Sequence, residues 1–219
     1  MYNHTMFGSK LTKLLDLLFP RLCIGCGTTH ELLCPYCLAS LPTADNDKEN
    51  CRARYAYADK IVRQAIWQLK YKHKRGFGHL LGTSLGELVL EDLSDLAELE
   101  NFRDPVLVPV PMSAKRERER GYNQAELIAQ AVAKISGLQL LPNLVSKFKD
   151  TPSQVSQHNR AKRLKNLSGA FTVPDSAPIK NRNIILIDDV YTTGATMREL
   201  AKVLKKSGAK RILAYTVAH

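Results

Sequence analysis

Apolar positions along this chain follow two rhythms. In the first half they recur at helical spacing. In the second half, continuous β-favouring runs alternate with helical segments. Leu11, Leu14, Leu15 and Leu18 predict a short amphipathic helix from about Ser9 to Phe19, stopped by Pro20. Pro42 to Asn50 is polar and acidic and reads as a loop. Ile61, Ala65, Ile66 and Leu69 predict a second amphipathic helix from Asp59, ending in Lys70-Tyr71-Lys72-His73-Lys74-Arg75-Gly76. Leu80 to Leu90 continues as helix, and an acidic stretch from Glu91 to Asp104 hands over to the second half.

There the rhythm changes. Val106 to Met112 predicts a short buried strand leading into a turn. A charged run, Lys115-Arg116-Glu117-Arg118-Glu119-Arg120, reads as the loop after that strand. Leu127, Ile128, Ala131 and Ile135 mark a helix from about Gln124 to Ser136. Leu140 to Phe148 is a second strand region, with a turn at Pro142-Asn143. Thr151 to Gly169 is polar and basic, without a core pattern, and reads as a mobile lid. Ala170 to Val173 is a short strand and Pro174 to Asn181 a loop. Ile184 to Ile187 is a strand buried on both faces, Met197 to Lys206 a helix, and Arg211 to Val217 a last strand. Strands alternating with helices from Pro105 onward predict an α/β fold with a mostly parallel sheet. Three units are expected: 1–50, a helix and a cysteine module; 51–104, a helical, hood-like segment; 105–219, the α/β domain.

The chemistry concentrates where Ile184-Ile185-Leu186-Ile187 ends in Asp188-Asp189, followed by Val190-Tyr191-Thr192-Thr193-Gly194-Ala195-Thr196. Ligands of an open parallel sheet sit outside the carboxyl ends of its strands. The free N–H groups of the next helix make a place for a phosphate. Thr192, Thr193 and Thr196 add hydroxyl donors, and Gly194 lets the backbone come close. A phosphate beside two carboxylates needs something neutral between them. A ribose 5-phosphate fits, with its hydroxyls donating to the acids. The plainer reading is a βα junction whose acids face solvent. Arg116 and Arg120, after the first sheet strand, are candidate bidentate clamps for a pyrophosphate.

Cys23-x2-Cys26 and Cys34-x2-Cys37 are separated by seven residues. Two such pairs suit a tetrahedral four-cysteine zinc site that is structural, since four protein ligands leave no open position. Redox chemistry is the alternative for a single Cys-x-x-Cys, and two copies close together argue against it. Cys51 lies outside the pattern.

The 219 residues carry a net charge of +11 and are 44% hydrophobic, enough for a packed core. The charge is uneven: +6 over residues 1–80, −6 over 81–104 and +11 over 105–219. Such basicity favours a polyanionic partner, single-stranded nucleic acid first and an anionic membrane surface second, with solubility as the simpler reading. Lys70, Lys72, Lys74 and Arg75, interleaved with Tyr71 and Phe77, suit a nucleic-acid backbone with base stacking, or else a solvated helix end. Arg160, Lys162 and Arg163 extend the basic set, and His158 beside them is a candidate proton carrier or a surface group. With Lys13 and Asp16 inside it, the first amphipathic segment is too short and charged to span a membrane. It reads as packed on the body, with peripheral membrane association as the other possibility. No secretory signal is evident, which predicts a reducing cytoplasm and unpaired cysteines.

The Asp188 to Thr196 segment closely resembles the phosphoribosyl pyrophosphate (PRPP) signature of type I phosphoribosyltransferases, departing at Tyr191, where small aliphatics are commoner. Nearly the whole chain resembles the ComF family of bacterial competence proteins. The resemblance rests on the four-cysteine knuckle, Leu69-Lys70-Tyr71, Val108-Pro109-Val110-Pro111, Arg116-x3-Arg120-Gly121-Tyr122-Asn123-Gln124, Thr151-x2-Gln154 and the Asp188 to Thr196 signature. It implies a phosphoribosyltransferase-like fold, PRPP with magnesium as ligands, and a link to uptake and processing of transforming single-stranded DNA. It also implies a DNA-translocating helicase of the competence machinery as a protein partner.

Overall fold

The computed structural model describes residues 21–45, 50–148 and 169–219. The expected helix near Ser9–Phe19 lies outside them. So do most of the polar stretch after Thr151 and its His158, Arg160, Lys162 and Arg163.

In chain order the elements are α1 (Pro35–Ala39), β1 (Cys51–Tyr55), α2 (Lys60–Tyr71), α3 (Gly76–Leu99), β2 (Val106–Pro109), α4 (Ala114–Arg120), α5 (Gln124–Ser136), β3 (Ser146–Lys147), β4 (Phe171–Thr172), β5 (Ile184–Val190), α6 (Ala195–Lys206) and β6 (Ile212–Ala218). Four strands form an all-parallel sheet in the order β1-β6-β5-β2. β3 and β4 make a separate antiparallel pair.

The continuous apolar run of β5 is explained by its two buried faces. Ile185 and Ile187 join Leu107, Leu213, Tyr215 and Val217 in a core shared with α2, α3 and α5. Ile184 and Leu186 join Val106, Val108, Cys51 and Ala214 in a second core under α6. Side chains alternate between the faces at the strand period of two. On the first face, Gly82 of α3 lets α5 come close. A Cβ there would stand 2.7 Å from the Ile128 carbonyl oxygen.

Several elements differ from the sequence expectation. The acidic stretch from Glu91 is not a handover loop, because α3 runs through it to Leu99. Its acids meet bases of the sheet: Arg52 with Asp92 at 2.9 Å and Arg211 with Glu100 at 2.6 Å, while the Tyr215 hydroxyl donates to Asp92. Exposed pairs contribute at most about 1 kcal/mol each. Burying Leu96, 4% exposed, contributes about 1.5–3 kcal/mol and carries the helix onward. The charged run predicted as a loop is the helix α4, closed by Gly121 in the left-handed region (φ 76°). In the Leu140–Phe148 region only Ser146–Lys147 is a strand, with Leu140 bridging Leu107 in parallel.

The sequence analysis assigns no element to Cys51–Tyr55. Cys51, Ala53 and Tyr55 point inward, and Arg52 and Arg54 alternate with them. Two arginines in five residues conceal a strand. They suit an edge, where charge discourages pairing with another chain.

Candidate functional site

β5 delivers Asp188 and Asp189 to the carboxyl edge of the sheet, and the turn to α6 starts two residues later. The Asp189 N–H donates to Asp188 Oδ1 at 2.8 Å, which fixes the first carboxylate over its own backbone. The turn is tied to the neighbouring strand by Tyr191 N–H donating to the Ala218 carbonyl at 2.9 Å. Gly194 caps α6 with φ +68°. A Cβ there would also lie 2.1 Å from the Tyr191 hydroxyl. The larger residue that departs from the signature therefore folds over the turn, in a space that glycine leaves. Its ring also meets His219 at 5.8 Å. Arg198 reaches back from α6 to the Thr193 carbonyl at 2.8 Å. The first-turn N–H groups of α6 have no intrahelical acceptors and point toward this turn.

The two acids differ in surroundings. Asp189 is 4% exposed, and its Oδ1 is paired with Lys70 Nζ at 2.8 Å. Its Oδ2 is buried without a hydrogen-bond partner. Burial and the Asp189 charge push the Asp188 carboxyl up to about 7, against the opposing effect of Lys70. Burial alone would lower the pKa of Lys70. Its contact with Asp189, with help from Asp188 and Tyr57, outweighs that and holds it above the ordinary lysine value. An orphaned carboxylate oxygen beside a neutralised partner fits a hydroxyl-rich ligand that donates to it. Hard oxygen donors also suit magnesium carried in with a pyrophosphate.

Lys70 belongs to α2, whose start is capped by Asp59 accepting from Ile61 and Val62 N–H groups at 2.8 and 3.0 Å. Of the basic set read along this segment, Lys70 thus turns inward to the acid pair. Lys72 and Lys74 are exposed. Arg75 donates to the Gly121 carbonyl at 2.9 Å and lies 4.7 Å from the Tyr122 ring centroid. Phe77 is fully buried, which removes it as a stacking residue. Arg116 and Arg120 are half-buried on α4. Arg120 bonds Gln124 and its guanidinium stands 5.6 Å from the ring of Tyr71. His73 Nδ1–H donates to the Arg120 carbonyl at 3.1 Å, and the Tyr122 hydroxyl donates to the Leu69 carbonyl. Gly121-Tyr122 therefore locks the arginine helix to the end of α2. Trp67 is a residue the sequence reading passed over. It is 48% exposed and shares a helix face with Lys70 and Tyr71. The signal was present as an indole at an i, i+3, i+4 position among polar neighbours.

The four cysteines form a second centre. The sulfurs of Cys23, Cys26, Cys34 and Cys37 lie within 4.8 Å of one another. Cys26 and Cys34 sulfurs are 3.7 Å apart. A tetrahedron with metal–sulfur bonds of about 2.3 Å has edges of about 3.8 Å. Gly25 N–H and Cys34 N–H approach Cys23 Sγ at 3.4 and 3.3 Å. A Cβ on Gly25 would collide with Cys37 Sγ at 2.7 Å. Burial, then the neighbouring sulfurs, push the Cys37 thiol up to about 12. Burial also opposes ionisation of Cys23, but the N–H groups of Cys26, Cys34 and Gly25 outweigh it and lower that thiol to about 6. Four sulfurs this close cannot all be thiolates without a cation among them, so the cluster can hold a metal ion.

Parallel strands, a doubled acid at a strand end and a glycine-capped turn define a type I phosphoribosyltransferase-like protein. A phosphoribosyl transferase domain model matches residues 120–219. Competence protein F of Haemophilus influenzae is 28% identical over 209 residues, covering 90% of each chain. Competence protein ComFC of Bacillus subtilis is 37% identical over 167 residues, covering 76% of this chain and 62% of the relative. DNA utilization protein YhgH of Escherichia coli K12 is 26% identical over 204 residues, 87% of this chain and 85% of the relative. Over most of its length the chain is thus similar to proteins named for competence and DNA utilization.

Proposed function

We propose that this chain binds PRPP with magnesium at the Asp188–Thr196 edge of the sheet, and acts in the uptake or processing of transforming single-stranded DNA. The observation that carries the reading is the buried acid pair, one oxygen neutralised by Lys70 and another orphaned, set directly before the glycine-capped turn. Asp188 and Asp189 accept hydrogen bonds from the ribose hydroxyls. The turn from Val190 through Tyr191, Thr192, Thr193 and Gly194 to Ala195 and Thr196 receives the 5-phosphate, with hydroxyls and first-turn N–H groups as donors. Arg116 and Arg120 serve the leaving pyrophosphate. Magnesium, when bound with PRPP, neutralises the pyrophosphate and improves it as a leaving group.

The names of the relatives, competence proteins and a DNA utilization protein, support the DNA part. So do the basic residues Lys72, Lys74 and Arg75, and the cationic sequence at Arg160, Lys162 and Arg163. A helicase of the same machinery is the proposed protein partner. The cysteine quartet is assigned structural zinc, on its donor set and spacing. Among the described residues no helix is long and apolar enough to cross a membrane. A cytoplasmic location, with contact at the inner membrane face, completes the proposal.

Calorimetric titration of PRPP with magnesium, beside an Asp188→Asn/Asp189→Asn double variant, tests the pocket. Binding by the native protein that is lost in the variant is the expected result. No binding by either protein would overturn the PRPP reading and leave a zinc-bearing, DNA-binding scaffold. PRPP turnover with a small free base, releasing pyrophosphate and indifferent to DNA, would favour a salvage enzyme.

A further inference from the structure

α2 carries two exposed aromatic rings that the proposed sugar-phosphate pocket does not use. Trp67 and Tyr71 are one helical turn apart, 48% and 53% exposed. Their ring centroids lie 6.3 Å apart with planes inclined at 46°. The inclined rings present two separate aromatic faces rather than one flat table. Each has a cation over it: Lys72 Nζ stands 5.1 Å from the Trp67 centroid, and the Arg120 guanidinium 5.6 Å from that of Tyr71. Between Trp67 and Arg75 the chain holds four Lys/Arg and no acid.

Aromatic planes left open to solvent contribute nothing to a folding core. Paired with cations at this spacing, they match one kind of ligand, with flat π-faces strung along a phosphate chain. A duplex hides its base faces in the stack, so the strand must be single. A protein partner would also accept Trp, Tyr and Arg. It would have to supply acids against Lys72, Lys74 and Arg75, whereas a phosphate backbone does so by construction. Lys70, one residue before Tyr71 on the same helix, bonds Asp189, so this edge of α2 adjoins the acid pair.

We propose that the Trp67–Tyr71 edge of α2 is a base-stacking platform for single-stranded DNA, placed so that a base held there stands beside the Asp188–Asp189 pocket. The inference rests on the DNA reading above and adds to it where the base sits. It also supplies the base-recognition surface that the signature segment lacks.

Trp67 is the single tryptophan of the chain, so its emission reports on this site alone. An end-labelled oligo-dT and an abasic oligomer of equal length are titrated, following label anisotropy and Trp67 emission together. At equal occupancy the dT strand changes the emission and the abasic strand does not. Tyr71→Ala weakens dT binding by roughly 5- to 150-fold with the salt slope unchanged, since stacking releases no counterions. Lys72→Ala/Lys74→Ala reduces the slope instead. Trp67→Ala weakens dT binding in anisotropy, and Trp67→Phe restores most of it. Oligo-dT that binds in anisotropy without any emission change, and binds Tyr71→Ala as tightly as native protein, overturns the platform and leaves the DNA reading standing. Preference for oligo-rU over oligo-dT overturns the choice of DNA. No binding of any strand at any salt overturns platform and DNA reading alike.

Discussion

A carboxylate as deeply buried as Asp189 needs a cation, and the fold brings Lys70 to it from another element. Removing one partner of such a pair leaves the other buried and charged, which typically destabilises by about 3–5 kcal/mol. Lys70 keeps 23% of its side-chain surface exposed, so the lower end applies. Lys70→Met should therefore lower stability by about 3 kcal/mol in urea unfolding. Asp189→Asn in the same chain should recover part of the loss. A strictly additive double variant would show that the two side chains do not act as a pair. Asp188 gives a pH signature. Its folded pKa, raised to about 7, exceeds the unfolded carboxyl value. The folded state thus holds a proton that the unfolded state has released. Stability from this group is present at low pH and is lost as pH rises from about 4 toward about 7. Thermal melts of the ligand-free protein should carry this downward component, and Asp188→Asn should flatten it. Identical pH profiles for the two would remove Asp188 as its source.

At the scale of elements, two contacts without long side chains matter. Gly82 is where α5 crosses α3, and its missing Cβ makes room for the Ile128 carbonyl. Gly82→Ala gains up to about 1 kcal/mol of helix propensity. Overpacking against the backbone costs about 1–3 kcal/mol. The variant should be less stable by about 1–2 kcal/mol, read as a lower urea midpoint with an unchanged slope. The zinc proposed for the cysteine knuckle makes a separate prediction. A strong chelator should make residues 21–41 protease-sensitive while the α/β body resists, and zinc should reverse it. Unchanged cleavage after metal removal would take the structural role away from the cluster. Most of these elements were legible in the sequence. The helices α2 and α5 follow apolar spacing, and β5 follows its apolar run. α4 was not legible, since a run of alternating Arg and Glu has no apolar face, and its helix is held by docking to α2. β1 was hidden by Arg52 and Arg54, whose acidic partners lie some forty residues away on α3.

For the molecule as a whole, the Asp188–Thr196 turn and the cysteine quartet could be read directly, because each is contiguous or nearly so. The connection between chain halves could not. The Lys70–Asp189 pair, the Arg120–Tyr71 contact and the placement of Trp67 join residues far apart in sequence. Nothing in local spacing announces such pairings. The charge pattern behaves likewise: acids of α3 and its C-cap Glu100 answer Arg52 and Arg54 of β1 and Arg211 just before β6. Much of the local imbalance is therefore consumed inside the fold, and the surplus lies elsewhere.

The sheet order has a bearing on how the protein is made. β1 leaves the ribosome well before β6, yet β6 is its parallel neighbour in the sheet, with Cys51 opposite Ala214. Until β6 emerges, β1 and β5 each present an unpaired edge that must be kept from other chains. Sheet closure is thus held back until β6 has been made. A nascent chain halted before Ile212 should be a chaperone client that aggregates on release, however sound its helices.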